Sequence, residues 1–469
     1  MDILFLNPVQ TESGFALCNF TLLWLASYLR VNGYEAKVIY LRGGFKQEVQ
    51  DALLKYKPRY VAVSCRWYTN LYGACLVSRA VKDYDDAIKV ITGGNTATYF
   101  HRELVMRGEF DMVIRGDAEI PLLELLKNNQ PVNATCRNGR EVTEQKLTYV
   151  QSQEELDSYR LEPLEEILDD CTTVLGGSNY IWVGKGCGYS CFYCGGSRTA
   201  QQIVSGRTHQ IIRPVKNVLH DIELLSRYSD SILFDFSDCK GEEEVHFIDL
   251  FRQLPPQKLS SKIFYWGVPS QQFLDSVSRT FKRAEIIIDV VTFNEQLRQR
   301  LSELGWTKPF IGNSDIVKIC DYCLLKKNIE VGLESITGLP FERLYDPEDG
   351  VVWVRNLVRQ YICLTHISCW PLSVEPASRI YVEPETFNLC NTRKSFEDFY
   401  DLTKSAFEHN CIYPYRDYKE ESKHLRHIID PYGTSETGSS QEDVYMRSKV
   451  FYDSIFPELQ ANRILFEKM

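Results

Sequence analysis

The chain has 469 residues, 44% hydrophobic and 25% charged, the make-up of a globular protein with room for about two to four domain cores. Its 53 Lys and Arg against 63 Asp and Glu give a net charge of −10, which argues against binding a phosphate backbone. No apolar run is long enough for a bilayer and Met1-Asp2-Ile3-Leu4 carries no basic leader, so a cytoplasmic protein with neither membrane nor nucleic-acid partner is expected.

Residues 1–130 alternate short apolar runs with amphipathic stretches. The spacing predicts strands over Asp2–Asn7, Ala36–Leu41, Tyr60–Cys65, Ile88–Thr92 and Met112–Arg115. Helices are predicted over Phe20–Val31, Lys46–Tyr56, Gly73–Lys82 and Pro121–Lys127, the first ended by Gly33. Strands separated by helical segments argue an α/β, doubly wound, Rossmann-like parallel sheet. Ligands of such sheets sit beyond the carboxyl ends of the strands. Asn7, Ser64, Gly93, Gly94, Asn95, Gly116 and Asp117 fall there, as candidate cofactor contacts or as residues of tight turns. No GxGxxG follows the first strand, which argues against a dinucleotide.

Residues 131–172 are polar and lack a sustained period, a connector long enough to hold short strands. Over 173–390 strands are predicted at Tyr180–Val183, Ser231–Phe236, Lys262–Trp266, Glu285–Val291, Ile329–Leu333 and Ile362–Ser368. Helical stretches fall between them at Val215–Arg227, Glu244–Gln253, Asn294–Leu304 and Ser314–Lys326. Six strand–helix units describe a partial (β/α)6 barrel, whose chemistry belongs at the C-terminal strand ends. Residues 391–469 are rich in charge and aromatics (Phe396, Phe399, Tyr400, Phe407, Tyr413, Tyr415, Tyr418) and read as a mainly helical cap or lid. Within them Thr434–Glu442 has loop composition.

Fifteen cysteines are too few for a disulfide scaffold, and most are expected as thiols that fill the core. Three form a set. The segment Gly186-Cys187-Gly188-Tyr189-Ser190-Cys191-Phe192-Tyr193-Cys194-Gly195-Gly196-Ser197 spaces Cys187, Cys191 and Cys194 as CxxxCxxC, directly after the first strand of the second half. Thiolates bind soft metals and iron–sulfur clusters. A closed zinc site wants a fourth ligand, and the nearest downstream His or Cys is His209. On a [4Fe–4S] cube, three thiolates leave one iron open.

The motif, its place after the first barrel strand and Tyr193 before the third cysteine resemble the radical S-adenosylmethionine (SAM) superfamily. The resemblance implies that Cys187, Cys191 and Cys194 hold a [4Fe–4S] cluster and that SAM binds the open iron through its amino and carboxylate groups. It implies an external electron donor, such as flavodoxin or ferredoxin, and cleavage of SAM to a 5′-deoxyadenosyl radical. Cofactor contacts are implied at Tyr193 and Gly195-Gly196, at Ser237 and Asp238 after the second barrel strand, at Asp289, Thr292 and Asn294 ending the fourth, and at Glu334 and Gly338 ending the fifth. Each polar strand-end residue also reads as a helix N-cap.

A sheet domain before the barrel narrows the resemblance to the cobalamin-binding radical SAM enzymes. Trp24-Leu25-Ala26-Ser27-Tyr28-Leu29-Arg30, Gly33-Tyr34-Glu35, the run from Lys57 to Cys65, Thr92-Gly93-Gly94 and Val113-Ile114-Arg115-Gly116-Asp117-Ala118-Glu119 carry it. Many cobalamin domains place a histidine in a DxHxxG loop after the first strand; here that loop is Asn7-Pro8-Val9-Gln10-Thr11-Glu12, and His101 is the only histidine in the first 200 residues. A bound cobalamin would then lack a histidine ligand, and Arg66-Trp67-Tyr68 would approach its lower face, or else pack at the domain interface.

The resemblance implies methylation of an unactivated carbon in a natural-product or peptide substrate, with cobalamin as methyl carrier. The alternative is a non-methylating radical SAM enzyme: a cyclase, a rearrangement enzyme or a peptide epimerase, the last needing a thiol as hydrogen donor. Cys239, Cys363 and Cys369 are its candidates, although core packing is the simpler role; Cys363 and Cys369, six apart, would share a face of one strand. A non-catalytic cofactor carrier or sensor is the third reading.

Overall fold

The computed structural model describes residues 1–8, 20–42, 45–235, 242–387, 389, 393–408 and 441–467. In the first half β1 (Ile3–Pro8), β2 (Ala36–Leu41), β3 (Tyr60–Ser64), β4 (Lys89–Gly93) and β5 (Met112–Ile114) lie parallel in the order β2-β1-β3-β4-β5. Each lies within a residue or two of its expected place. Two antiparallel strands from the polar connector, β6 (Ala134–Asn138) and β7 (Glu141–Glu144), continue the sheet, so it runs past residue 130.

The strands are apolar on both faces because both are covered, as parallel sheets require. On one face lies helix Phe20–Val31, with Leu23, Trp24 and Leu29 in a core shared with the second half. On the other lie helices Phe45–Tyr56 and Leu71–Tyr84. The strand order reverses between β1 and β3, and the crevice outside their carboxyl ends is where such sheets bind ligands.

The second half is a six-stranded parallel sheet, in order β8 (Ser178–Ile181), β11 (Ser231–Asp235), β12 (Ser260–Tyr265), β13 (Arg283–Val291), β14 (Ile329–Thr337) and β15 (Leu364–Pro371). A short antiparallel ribbon of β9 (Gly184–Lys185) and β10 (Ile211–Ile212) brackets the cysteine segment. Register sets which residues face inward. Lys262 pairs with Glu285, Asp289 with Glu334 and Glu334 with Ser368, so these share one face, the barrel interior.

Among the described residues, the tail forms two helices that pack one on each half. Helix Phe396–Glu408 places Phe396, Phe399 and Tyr400 in the core of the first half, against helix Leu71–Tyr84. Helix Gln441–Glu467 packs on β14, β15 and helix Pro347–Gln360, and its Asn462 amide donates to the carbonyls of Val358, Tyr361 and Leu364. Tyr413, Tyr415, Tyr418 and most of the expected loop over Thr434–Glu442 lie outside the described residues. Among the described residues no helix is long and apolar enough to cross a membrane.

Ion pairs join the halves. Asp117, just beyond β5, accepts from Arg207 (2.5 Å) and Lys185 (3.3 Å), and Lys185 also reaches Glu119 (2.5 Å). Glu119 in turn accepts the Trp24 indole N–H at 3.1 Å, and the Arg213 guanidinium lies 4.4 Å from the Trp24 ring centroid. These contacts fix the carboxyl ends of the first sheet against those of the barrel.

Candidate functional site: the cysteine loop and the facing strand ends

The cysteine segment turns sharply between β9 and helix Arg198–Ser205, whose N-cap Ser197 accepts the Ala200 N–H. Cys191 is buried, Cys187 and Cys194 half-buried. Backbone amides point at the sulfurs: Tyr189 N–H donates to Cys187 Sγ (3.4 Å) and Gly196 N–H to Cys194 Sγ (3.3 Å). Burial pushes the Cys191 thiol up to about 12 and that of Cys194 well above its usual range. The Lys308 ammonium offsets this at Cys191. Amides and a cation aimed at sulfur suit thiolates bound to a metal cluster. Among the described residues no three His, Cys, Asp or Glu side chains converge on a single-ion site. A cube attaches each thiolate to a different iron and so spaces them wider than one ion would.

A strap after β15 grips this loop. The Phe192 carbonyl accepts from Ile380 N–H (3.0 Å), and the Glu375 carboxylate accepts the Gly195 N–H (2.6 Å). Burial raises the Glu375 pKa to about 7, against the pull of that bond. A Cβ on Gly195 would stand 2.8 Å from the Pro376 carbonyl oxygen, so only glycine fits. A Cβ on Gly196 would stand 3.2 Å from the Trp67 ring and 3.6 Å from Cys194 Sγ. Tyr193 packs behind the loop with Trp306, Phe341 and Tyr345.

Trp67 therefore brings the first sheet to the cluster loop. Its neighbour Arg66 lies 5.4 Å from the Trp67 ring and 6.0 Å from that of Trp182, just beyond β8. Burial lowers the Arg66 pKa, with Tyr180 and Asp235 pulling it back. The Arg66 turn is held from below. A Cβ on Gly94 would stand 2.6 Å from Arg66 Cα, Gly94 has φ +109°, and the Thr96 and Ala97 amides donate to the carbonyls of Arg66 and Cys65. Tyr68 reaches across to Ser373 at 2.8 Å. The Arg66-Trp67-Tyr68 segment packs at the interface, between the first sheet and the cysteine loop with its strap.

The other expected positions divide. Asn7, Ser64 and Gly93 stand at the carboxyl ends of β1, β3 and β4, and Asn95 opens the short helix after Gly94. Gly116 packs against Ser205 of the barrel half, and Asp117 is taken up by Arg207, Lys185 and the Gln151 N–H, a clamp between the halves. Asp289 is ion-paired with Lys308, whose ammonium sits 4.2 Å from the Trp266 ring. Thr292 gives its carbonyl to Arg298, and Asn294 is a helix N-cap. Gly338 donates its N–H to Glu342. His101 bonds Thr135 on β6 (2.8 Å), beside the edge hairpin. Ser237, Asp238 and Cys239 lie outside the described residues.

Two cysteine expectations need correction. Cys363 is fully buried and its thiol lies against the Cys320 carbonyl, at the amino end of β15, whereas the cluster loop follows the carboxyl end of β8. Cys369 pairs with Ser335, on the face of β15 opposite His366 and Ser368. Even spacing misleads here because one extra residue sits in β15 between Leu364, opposite Val331, and His366, opposite Gly332.

The sequence reading missed Lys308, Glu375, Trp182, Asp235 and His366. Burial raises Asp235 to about 6 despite Lys308 and Arg66 nearby, and raises Glu334 to about 7. A lysine in a loop after a helix, or a glutamate after the last strand, carries no local pattern that marks it.

Comparison with known proteins agrees with this geometry. Residues 7–126 match the B12 binding domain family, and no curated protein sequence matches the chain. Among solved structures, TsrM from Kitasatospora setae, a radical SAM methyltransferase with tryptophan substrate and the SAM analogue aza-SAM bound, is similar at TM-score 0.65 and 16% identity, over 99% of this chain and 98% of that one. The same enzyme with cobalamin and a [4Fe–4S] cluster gives 0.63 and 17% over 81% and 74%. The cobalamin-dependent SAM radical enzyme OxsB, with aqua-cobalamin, gives 0.60 and 14% over 98% and 80%. The two halves together have the fold of the cobalamin-dependent radical SAM enzymes.

Proposed function

We propose that the protein is a cobalamin-dependent radical SAM enzyme that methylates carbon in a small organic or peptide substrate. The observation that carries it is the seating of Trp67, from the B12 binding domain, against Gly196 beside Cys194. It supports a reading in which the strand ends of the first sheet face the three-cysteine loop. In this reading Cys187, Cys191 and Cys194 hold the cluster, and the corrin lies over Asn7, Ser64, Gly93 and the Arg66 turn.

When bound, the cluster supplies the electron that cleaves SAM and cobalamin supplies the methyl group. The protein's part is position and dryness. Gly195 and Gly196 let the cluster loop sit close under the strap, and Glu375 fixes its amide direction. Lys308 keeps positive charge beside the cluster thiolates while Asp289 holds it in place. Gly94 lets the Arg66 turn sit close over the helix that follows it, and the Trp67 and Trp182 rings flank the guanidinium and exclude water. The non-methylating epimerase reading loses Cys363 as a donor by the position given above.

The test is product analysis after anaerobic reconstitution with iron, sulfide and cobalamin, then SAM and a reductant. Release of S-adenosylhomocysteine that requires added cobalamin supports methyl transfer. Formation of 5′-deoxyadenosine alone, unaffected by cobalamin, overturns it in favour of a non-methylating enzyme.

A further inference from the structure

The interior wall formed by β14 and β15 carries three polar groups that neither the cluster nor the domain interface uses. Glu334 and Ser368 are opposite one another in register, and His366 lies two residues before Ser368 on the same face. His366 Nε2 is 3.9 Å from Glu334 Oε1, too far for a hydrogen bond. Both His366 Nε2 and Ser368 Oγ are buried without a hydrogen-bond partner, and Ser368 is only 7% exposed. Leaving a buried polar atom unmade costs roughly 1–3 kcal/mol. Two such atoms beside an unpaired carboxylate are a built surface for a polar group of a ligand.

The donor and acceptor pattern names that group. His366 Nδ1 lies 3.7 Å from Glu285 Oε1 and Nε2 lies 3.9 Å from Glu334 Oε1, so among the described residues neither ring nitrogen is hydrogen-bonded and the neutral ring keeps one nitrogen free to accept. Burial lowers the His366 pKa to about 4, and Lys262 and Arg463 add to this against Glu285, so the ring is neutral near pH 7. Glu285 is itself paired with Lys262 (3.2 Å), and Asp289 with Lys308. Glu334 has no Lys or Arg within ion-pair distance among the described residues, and the neutral His366 ring lies 3.9 Å away. A carboxylate oxygen, an imidazole nitrogen and a hydroxyl oxygen thus stand as three acceptors at neighbouring positions of one wall. A primary ammonium has three N–H donors and a positive charge, and it matches all three.

We propose that Glu334, His366 and Ser368 bind a primary ammonium group of the substrate, so that the substrate class is an amine. The proposal rests on the functional reading above, in which the barrel interior is the substrate chamber. It places the amine beside the Asp289–Lys308 pair, since Asp289 is opposite Glu334 and Glu334 opposite Ser368.

The experiment uses the reconstituted holoenzyme and two probes of equal shape, benzylamine and benzyl alcohol, observed by saturation-transfer NMR. Wild-type protein is expected to bind the amine about tenfold or more tightly than the alcohol. Glu334→Gln should abolish that preference, and Ser368→Ala should reduce it several-fold. SAM affinity should stay within about twofold in Ser368→Ala, and so should the cluster and cobalamin absorption. Equal binding of amine and alcohol by the wild type overturns the proposal. So does a parallel loss of SAM affinity in Ser368→Ala, which would assign the three acceptors to the amino group of SAM. Failure of the cofactor reading would appear separately, as missing cluster or cobalamin bands in the wild type.

Discussion

Cys191 illustrates how one residue can be read from spacing yet explained only by its surroundings. Its place in CxxxCxxC is plain in the chain; that it is buried, with Lys308 nearby, is not. Cys191→Ala should leave the fold intact and remove the cluster, since one of three thiolates is lost. Iron and sulfide content and the visible spectrum should fall to background, and SAM cleavage with them. Retained 5′-deoxyadenosine formation would contradict the cluster assignment. Glu334 gives a second prediction at this scale. In the cofactor-free protein, burial and Asp289 raise its pKa to about 7 while Lys262 and Lys308 oppose this. Between about pH 4.5 and 7 the folded state keeps a proton that the unfolded state releases, so Glu334 lowers stability as pH rises through that window and adds no slope above it. Denaturant unfolding at several pH values should show the wild type losing ground to Glu334→Gln from pH 4.5 to 7, then running parallel. A constant difference across that range would contradict it.

At the scale of elements, most strands and helices of the first sheet could be placed from periodicity, because apolar runs bounded by Pro and Gly leave few alternatives. What could not be placed came from contacts distant in the chain. Helices Gln271–Thr280 and Pro347–Gln360 were not read, and β14 continues to Thr337 through polar Glu334 and Ser335. Polar residues inside a barrel strand break the hydrophobic signal at the place where chemistry is located. The extra residue in β15 likewise reverses which side chains face inward, and no pattern in Leu364–Cys369 announces it. Asp117 is the clearest case of a residue whose strand-end position was legible and whose partners were not. It is paired with Arg207 and Lys185 and only 12% exposed. Asp117→Ala leaves the buried Arg207 without its ion-pair partner, while Lys185 keeps Glu119, and should cost about 3–5 kcal/mol in urea unfolding. The exposed Lys82–Asp86 pair is the control: Asp86→Ala should change stability by less than about 1 kcal/mol. Equal effects of the two substitutions would contradict the clamp.

Across the whole molecule, the account is one of two ligand-binding faces turned toward each other. The first sheet offers the carboxyl ends of β1, β3 and β4, the barrel offers the cysteine loop and charged interior, and the Arg66–Tyr68 segment bridges them. The two tail helices fasten one half each, at Phe399 and at Asn462. The order of sheet and barrel was visible in the chain, as was the cluster motif; the shared chamber was not, because it is made by residues of both halves. Its direct test is metal analysis of the full chain, reconstituted anaerobically with iron, sulfide and cobalamin and freed of unbound ligand. The account predicts about four irons and one cobalt retained per chain, with the iron lost and the cobalt kept in Cys191→Ala. Retention of zinc in place of iron, or no retained cobalt in the wild type, would contradict it.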